Sequence, residues 1–265
     1  MKVYISVDIE GVAGITHWDE AEKTHADYPE FREQMTKEAT AAIEGAEAGG
    51  ATEIWVKDAH SSGRNLIVSK LPANIRLIRA WAGHPLCMVQ ELDESFAAVM
   101  MVGYHSAAGS EANSLAHTLS LDAAEIRLNG TRASEFLIHG LASSMLGVPT
   151  VFVTGDKGLM GEVESINAAI GRCAVKEGRG ASTISMTSEA ACRAIRDGAK
   201  RALKSDLKKF LLTVPEHTIV EVTYGDPNLA YRHSWYPGAV HIGNRTIRFE
   251  ATDYFDVLRM LNYVT

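Results

Sequence analysis

The chain has 265 residues, 46% hydrophobic and 22% charged, which is the balance of a globular protein long enough for one large domain or one and a half. A net charge of -7 and a pI near 5.8, with no Lys/Arg-rich stripe, exclude a nucleic-acid binder. The longest apolar run, around Phe96 to Val102, falls far short of the ~20 residues a membrane helix needs.

Val3 to Val7 is the first strand and runs into Asp8-Ile9-Glu10-Gly11. A helix follows from about Glu30 to Gly49, with Met35, Ala39, Ala42, Ile43 and Ala46 as its buried stripe and Gly49-Gly50 at its C-cap. Glu53 to Lys57 is the second strand and opens onto Asp58-Ala59-His60, and Ile75 to Ile78 is a third. Ala97 to Tyr104 reads as a fully buried strand ending in Gly103-Tyr104-His105. Glu125 to Leu128 meets Asn129-Gly130, a type I′ hairpin signal.

A helix capped by Ser134 closes at Gly147, and Thr150 to Val153 is a core strand followed by a helix. Gly178-Arg179-Gly180 marks the change of subdomain. Beyond it come a helix with Ile195, Ala199, Ala202 and Leu203 in stripe, a strand from Thr218 to Thr223, two short strands, and a closing helix carrying Phe255, Leu258 and Leu261. The alternation predicts an α/β fold, a mixed, mostly parallel sheet flanked by helices. Residues 1–178 form the metal-binding catalytic domain, and residues 179–265 a smaller C-terminal α+β subdomain that supplies scaffold and pocket wall.

Chemistry concentrates at strand ends, where ligands of α/β folds collect. Asp8 and Glu10 share one face of the departing strand, where two acids repel unless a cation lies between them. His60 and His105 follow two other strands, and His117 and Glu135 extend the set. Three carboxylates and two or three imidazoles without a thiolate suit one or two zinc, manganese or cobalt ions, and five candidate ligands suggest two metals sharing a carboxylate. Paired metals favour hydrolysis.

Cys87, Cys173 and Cys192 form no CxxC pair, which argues against a disulfide framework and for a reducing, cytoplasmic setting; Met1-Lys2 and the short strand after it make no leader peptide. Gly11-Val12-Ala13-Gly14 lacks the lysine and the third glycine of nucleotide loops. Asp58 reads as a helper of His60, through its turn or through a hydrogen bond. His17, His25, His84, His139, His217, His233 and His241 are assigned to surface or structure, and Trp81, Trp235 and Tyr236 to core or interface packing ahead of lining a pocket.

Ser6-Val7-Asp8-Ile9-Glu10-Gly11, Asp58-Ala59-His60-Ser61, Gly103-Tyr104-His105, His117, Glu135 and Phe249-Glu250-Ala251 occur in the order and near the spacing of the DppA-type D-aminopeptidases, which the chain resembles over most of its length. The resemblance implies two zinc ions per chain bridged by Asp8, with Glu10 and His105 completing one site and His60 and Glu135 the other. His117 matches the family's catalytic histidine, as proton shuttle, nucleophile or oxyanion stabiliser. Implied with it are hydrolysis of an N-terminal residue, a D-amino acid, from short peptides or amino-acid amides by a two-metal-activated water, and a large homo-oligomer, a decamer. Ser134 stands where the family pattern has glycine, and the loops from Thr16 to Tyr28 and Ser106 to Leu115 are expected to shape the substrate pocket. A metal-dependent amidase acting on a small non-peptide amide and a metal-free binding or assembly protein are the alternatives.

Overall fold

A computed structural model describes residues 1–265. Its strands are β1 (Lys2–Val7), β2 (Glu53–Asp58), β3 (Ile75–Ile78), β4 (Ala98–Tyr104), β5 (Ala123–Leu128), β6 (Thr131–Arg132), β7 (Thr150–Asp156), β8 (Gly171–Arg179), β9 (Ser182–Ser185), β10 (Thr218–Tyr224), β11 (Val240–Gly243) and β12 (Thr246–Ala251). Its helices are α1 (Tyr28–Ala48), α2 (Glu135–Met145), α3 (Lys157–Ile166), α4 (Ser188–Leu203), α5 (Pro227–His233) and α6 (Tyr254–Val264). A seven-stranded sheet has the order β3-β2-β1-β4-β7-β8-β9, parallel throughout except for the β8–β9 hairpin. The second sheet, β11-β12-β10-β5-β6, is antiparallel. The α/β expectation holds.

The strands of the large sheet are nearly continuous apolar runs because helices cover the sheet. All seven residues of β4 and of β7 are buried. α1 and α4 pack on each other and on the sheet, while α2 packs against β4, β7 and α6, and α6 reaches β10 and β12. Asn129 and Gly130 both take positive φ, 48° and 79°, as the type I′ turn requires. No helix is long and apolar enough to cross a membrane.

Three elements escape the sequence pattern. β8 carries Lys176, Glu177 and Arg179 among its apolar residues, which masks its alternation, and β9 follows it through a turn at Gly180-Ala181, with Gly178 and Arg179 still paired in the hairpin. α5 is a short helix begun by Pro227 and capped by Asp226, whose side chain accepts from Asn228 N. The division expected after residue 178 falls inside β8, and the second sheet takes β5 and β6 from residues before it.

Glu38 sits on the buried side of α1, fully enclosed. Its Oε1 accepts from Ala13 N and from Gln34 Nε2, both at 2.8 Å, and so ties the loop after β1 to the helix. Burial pushes its carboxyl up from 4.5 to about 7. A folded-state value above the unfolded one means that this stabilisation is complete below the unfolded value and is lost as pH rises through about 7. Glu38→Gln should therefore melt near wild type at about pH 5 and above it at about pH 8.5, by on the order of 1–3 kcal/mol. Thermal unfolding at matched protein concentration checks this, and a pH-independent gap would contradict it.

Candidate metal centre

From β1 the chain adds β2 and β3 on one side, then returns to add β4 on the other. The resulting switch point lies at the carboxyl ends of β1 and β4, where loops diverge and leave a crevice. Asp8 directly follows β1; its N–H donates to Val102 O at 2.8 Å, and its Oδ1 accepts from Ile9 N at 2.9 Å. Gly11 N donates to Gly103 O at 2.8 Å. A Cβ on Gly11 would fall 1.8 Å from Tyr104 O, and one on Gly103, at φ +70°, 2.3 Å from Asp8 O. Glycine at both positions lets the loop after β1 lie against the end of β4, which brings Asp8 and Glu10 beside His105.

His60 lies in the turn after β2. Asp58 forms that turn, accepting from Asn65 Nδ2 and from Leu66 N at 2.8 and 2.7 Å, and Asn65 Nδ2 donates to His60 O at 2.6 Å. Glu135 is the first residue of α2, where the helix N-terminus favours a carboxylate. Ser134 is the N-cap, its Oγ accepting from Leu137 N at 3.2 Å, so serine here begins the helix without disturbing Glu135.

The structure brings all six candidate residues into one cluster. His60 Nδ1 lies 3.4 Å from Asp8 Oδ1 and 3.0 Å from Glu10 Oε1. His105 Nε2 lies 3.5 Å from Asp8 Oδ2 and 3.2 Å from Glu135 Oε2, and His117 Nε2 lies 3.7 Å from Glu135 Oε1. The rings of His105 and His117 stack at 4.3 Å. Ligand atoms of Asp8, Glu10 and His105 lie within 4.8 Å of one another, as do those of His105, His117 and Glu135.

Each imidazole is aimed by a backbone carbonyl. Nδ1 of His105 and of His117 pairs with Ser106 O and Leu115 O, and Nε2 of His60 with Ala21 O, each at 3.0 Å. A carbonyl only accepts, so those nitrogens carry the proton and the other nitrogen of each ring is turned to the carboxylates. Burial, with Glu10 next, pushes the Asp8 carboxyl up to about 6. Burial acts the same way on Glu135, but His105 overrides it and brings the carboxyl down to about 2. Burial would lower His60 and His105, yet Glu10 and Glu135 hold both well above the ordinary imidazole range. Cations binding here would replace those protons.

Glu10 Oε2, Glu135 Oε2 and His105 Nε2 are buried without a hydrogen-bond partner. Buried polar atoms are rarely left so. Three unpaired ligand atoms converging in a thiolate-free nitrogen and oxygen set fit zinc. The centre opens into a cavity of about 400 Å³ walled by Trp81, Cys87, Met88, Ile138, His139 and Leu258 among others. Trp81 is held by its Nε1 donating to Ser61 O at 2.6 Å and by Lys57 Nζ 3.7 Å from its ring. His84 and His139, expected at surface or in structure, also line this wall, as does Trp81. The loops expected to shape the pocket do not line it; the first instead packs Trp18 edge-on against His117 at 5.3 Å. The C-terminal part, expected to supply pocket wall, contributes Leu258, Leu261 and Asn262 of α6, and residues 81–90 and α2 join it through tertiary packing alone.

The D-aminopeptidase model of the M55 peptidases matches residues 1–263. The chain belongs to the D-aminopeptidase family. A D-aminopeptidase of Bacillus subtilis (strain 168) is 28% identical over 267 residues, covering 100% of this chain and 97% of the relative. The Zn-dependent D-aminopeptidase DppA from Bacillus subtilis, described as a self-compartmentalizing protease, matches with a TM-score of 0.93 at 25% identity, over 100% of this chain and 96% of that one. The resemblance drawn from the strand-end motifs is thereby borne out across the chain.

Asp8 turns one oxygen to His60 and the other to His105, whereas Glu10 Oε1 lies beside His60. Asp8→Ala should therefore strip bound metal almost completely and Glu10→Ala less so. His117→Ala should keep its metal, with turnover reduced by roughly 100- to 10,000-fold. Elemental analysis with turnover of the same samples decides; metal lost from His117→Ala would make it a ligand.

Proposed function

We propose that this chain is a zinc-dependent aminopeptidase releasing the N-terminal residue, a D-amino acid, from short peptides or amino-acid amides. The observation that carries the reading is the buried cluster of unpaired ligand atoms opening on a cavity, in a member of the D-aminopeptidase family. Asp8 would serve two ions, its oxygens facing His60 and His105. Glu10 and His105 would complete one set, and His60 and Glu135 the other; manganese or cobalt also suits these donors.

Zinc bound here supplies polarisation of the scissile carbonyl and a lowered pKa for water. The protein's own part falls to His117, whose side chain is 14% exposed while the other five are 6% or less. Its Nδ1–H is fixed on Leu115 O, which leaves Nε2 to take a proton from the attacking water and return it to the leaving amine. Trp81, Met88, Ile138 and Leu258 in the cavity wall would shield part of a bound peptide from water.

A panel of D- and L-aminoacyl amides and dipeptides tests the reading, with D-substrates expected to lead by on the order of 100-fold in kcat/KM. Turnover of L-peptides alone would remove the D-preference, and turnover of non-peptide amides alone would favour the amidase. About two tightly bound zinc ions per chain are expected, and fewer than about one would defeat the two-metal reading.

The relative's self-compartmentalizing character supports assembly of this chain into a large homo-oligomer, a decamer. Tyr231, Trp235, Val240, Ile242 and Tyr263 are large apolar residues left exposed on one chain, as an interface would need. Sedimentation equilibrium should return the decamer mass, and a monomer would refute the assembly. Three free cysteines fit a reducing, cytoplasmic location.

A further inference from the structure

Behind the metal centre, away from the cavity, lies a second buried polar group formed by Asn113, Asp156, Lys176 and Ser106, each 4% exposed or less. Asn113 is its hub. Its Nδ2 donates to Glu10 O at 3.1 Å and to Asp156 Oδ2 at 3.0 Å. Its Oδ1 accepts from Leu115 N at 3.0 Å and from Lys176 Nζ at 3.2 Å. Both donors and both lone pairs of the amide are used. Turning the amide over would set oxygen against oxygen at Glu10 and Asp156, so its orientation is determined.

The partners carry the connection outward. Asp156, at the end of β7, accepts from Ser106 N and Ser106 Oγ at 2.7 and 2.5 Å and caps α3 through Leu159 N. Ser106 O is the carbonyl that aims His105. Leu115 O, in the turn closed by Leu115 N on Asn113, is the carbonyl that aims His117. Lys176, paired in register with Asp156 across β7 and β8, also donates to Ile15 O at 2.9 Å. One amide thus touches the Glu10 backbone, bonds directly the residue whose carbonyl aims His117, and reaches through Asp156 the residue whose carbonyl aims His105.

We infer that Asn113, anchored between Asp156 and Lys176, is a positioning residue that sets Glu10, His105 and His117 in register with one another. The inference rests on the two-metal reading and adds to it a residue that touches neither metal nor substrate. Asn113 lies between the buried Lys176 and Asp156 and bonds both; each charge is hydrogen-bonded within the one network, and removal of either leaves the other uncompensated.

Asn113→Asp tests it, being isosteric but presenting oxygen to Glu10 O and to Asp156. Lys176→Met serves as the second variant, since it keeps Asn113 but frees its Oδ1. Zinc affinity by competition with a chromogenic chelator, the visible spectrum of the cobalt(II)-substituted protein, and steady-state kinetics on a D-aminoacyl amide are measured beside wild type. Affinity should fall about 10- to 100-fold, the cobalt bands should shift, and kcat should fall while KM stays within about twofold. Should Asn113→Asp not fold, Lys176→Met carries the same readouts. Folded variants that match wild type in affinity, spectrum and kcat overturn the inference while leaving the metal reading intact. Loss of the fold in both variants assigns the group to folding alone and overturns it too. Failure of wild type itself to bind zinc overturns both readings.

Discussion

Three carboxylates, Asp8, Glu10 and Glu135, are each 3% exposed or less and meet within one cluster. Desolvation and mutual repulsion oppose that arrangement, and packing alone offers no compensation. The cost shows in Asp8, whose carboxyl rises to about 6 through burial and Glu10, and in His60 and His105, which are drawn toward their protonated forms by Glu10 and Glu135 against their burial. Positive charge at this point is the condition under which the rest of the centre is stable, and divalent cations supply it most compactly.

That constraint explains features elsewhere in the molecule. The close approach of the loop after β1 to the end of β4 at Gly11 and Gly103 holds Asp8 and Glu10 beside His105. Each histidine is aimed by a main-chain carbonyl rather than by a further acid, so orientation is gained without adding negative charge. The network through Asn113 carries one lysine against one aspartate, which leaves the charge balance of the centre unaltered. The cavity wall, drawn from residues 81–90, α2 and α6, sets Trp81, Met88, Ile138 and Leu258 among His84, Gln90, His139 and Asn262, and its apolar part strengthens the electrostatics of the site it borders.

Much of this was readable before any fold was known, and the reason is local. Asp8, His60 and His105 directly follow or nearly follow strands whose apolar runs announce them, and strand ends are where ligands gather. Asn129-Gly130 and Ser134 declared a turn and a cap by their own stereochemistry. β8 was hidden because charged residues interrupt its alternation, and Glu38 because an acid in a helical stripe reads as its solvent side. Asn113 carried no signal at all, since an asparagine in a loop resembles any other until its four partners, three of them from distant segments, are in place.

The sequence by itself determined which side chains could bind metal, the order in which they arrive, and the family they belong to, because strand periodicity and short motifs are properties of neighbouring residues. Only the tertiary structure decided which nitrogen of each histidine faces the acids, which loops wall the cavity, and that a lysine on β8 is buried behind the ligands. Those outcomes depend on contacts between segments as far apart as Ile15 and Lys176, whose energies arise only when the sheet has closed around them.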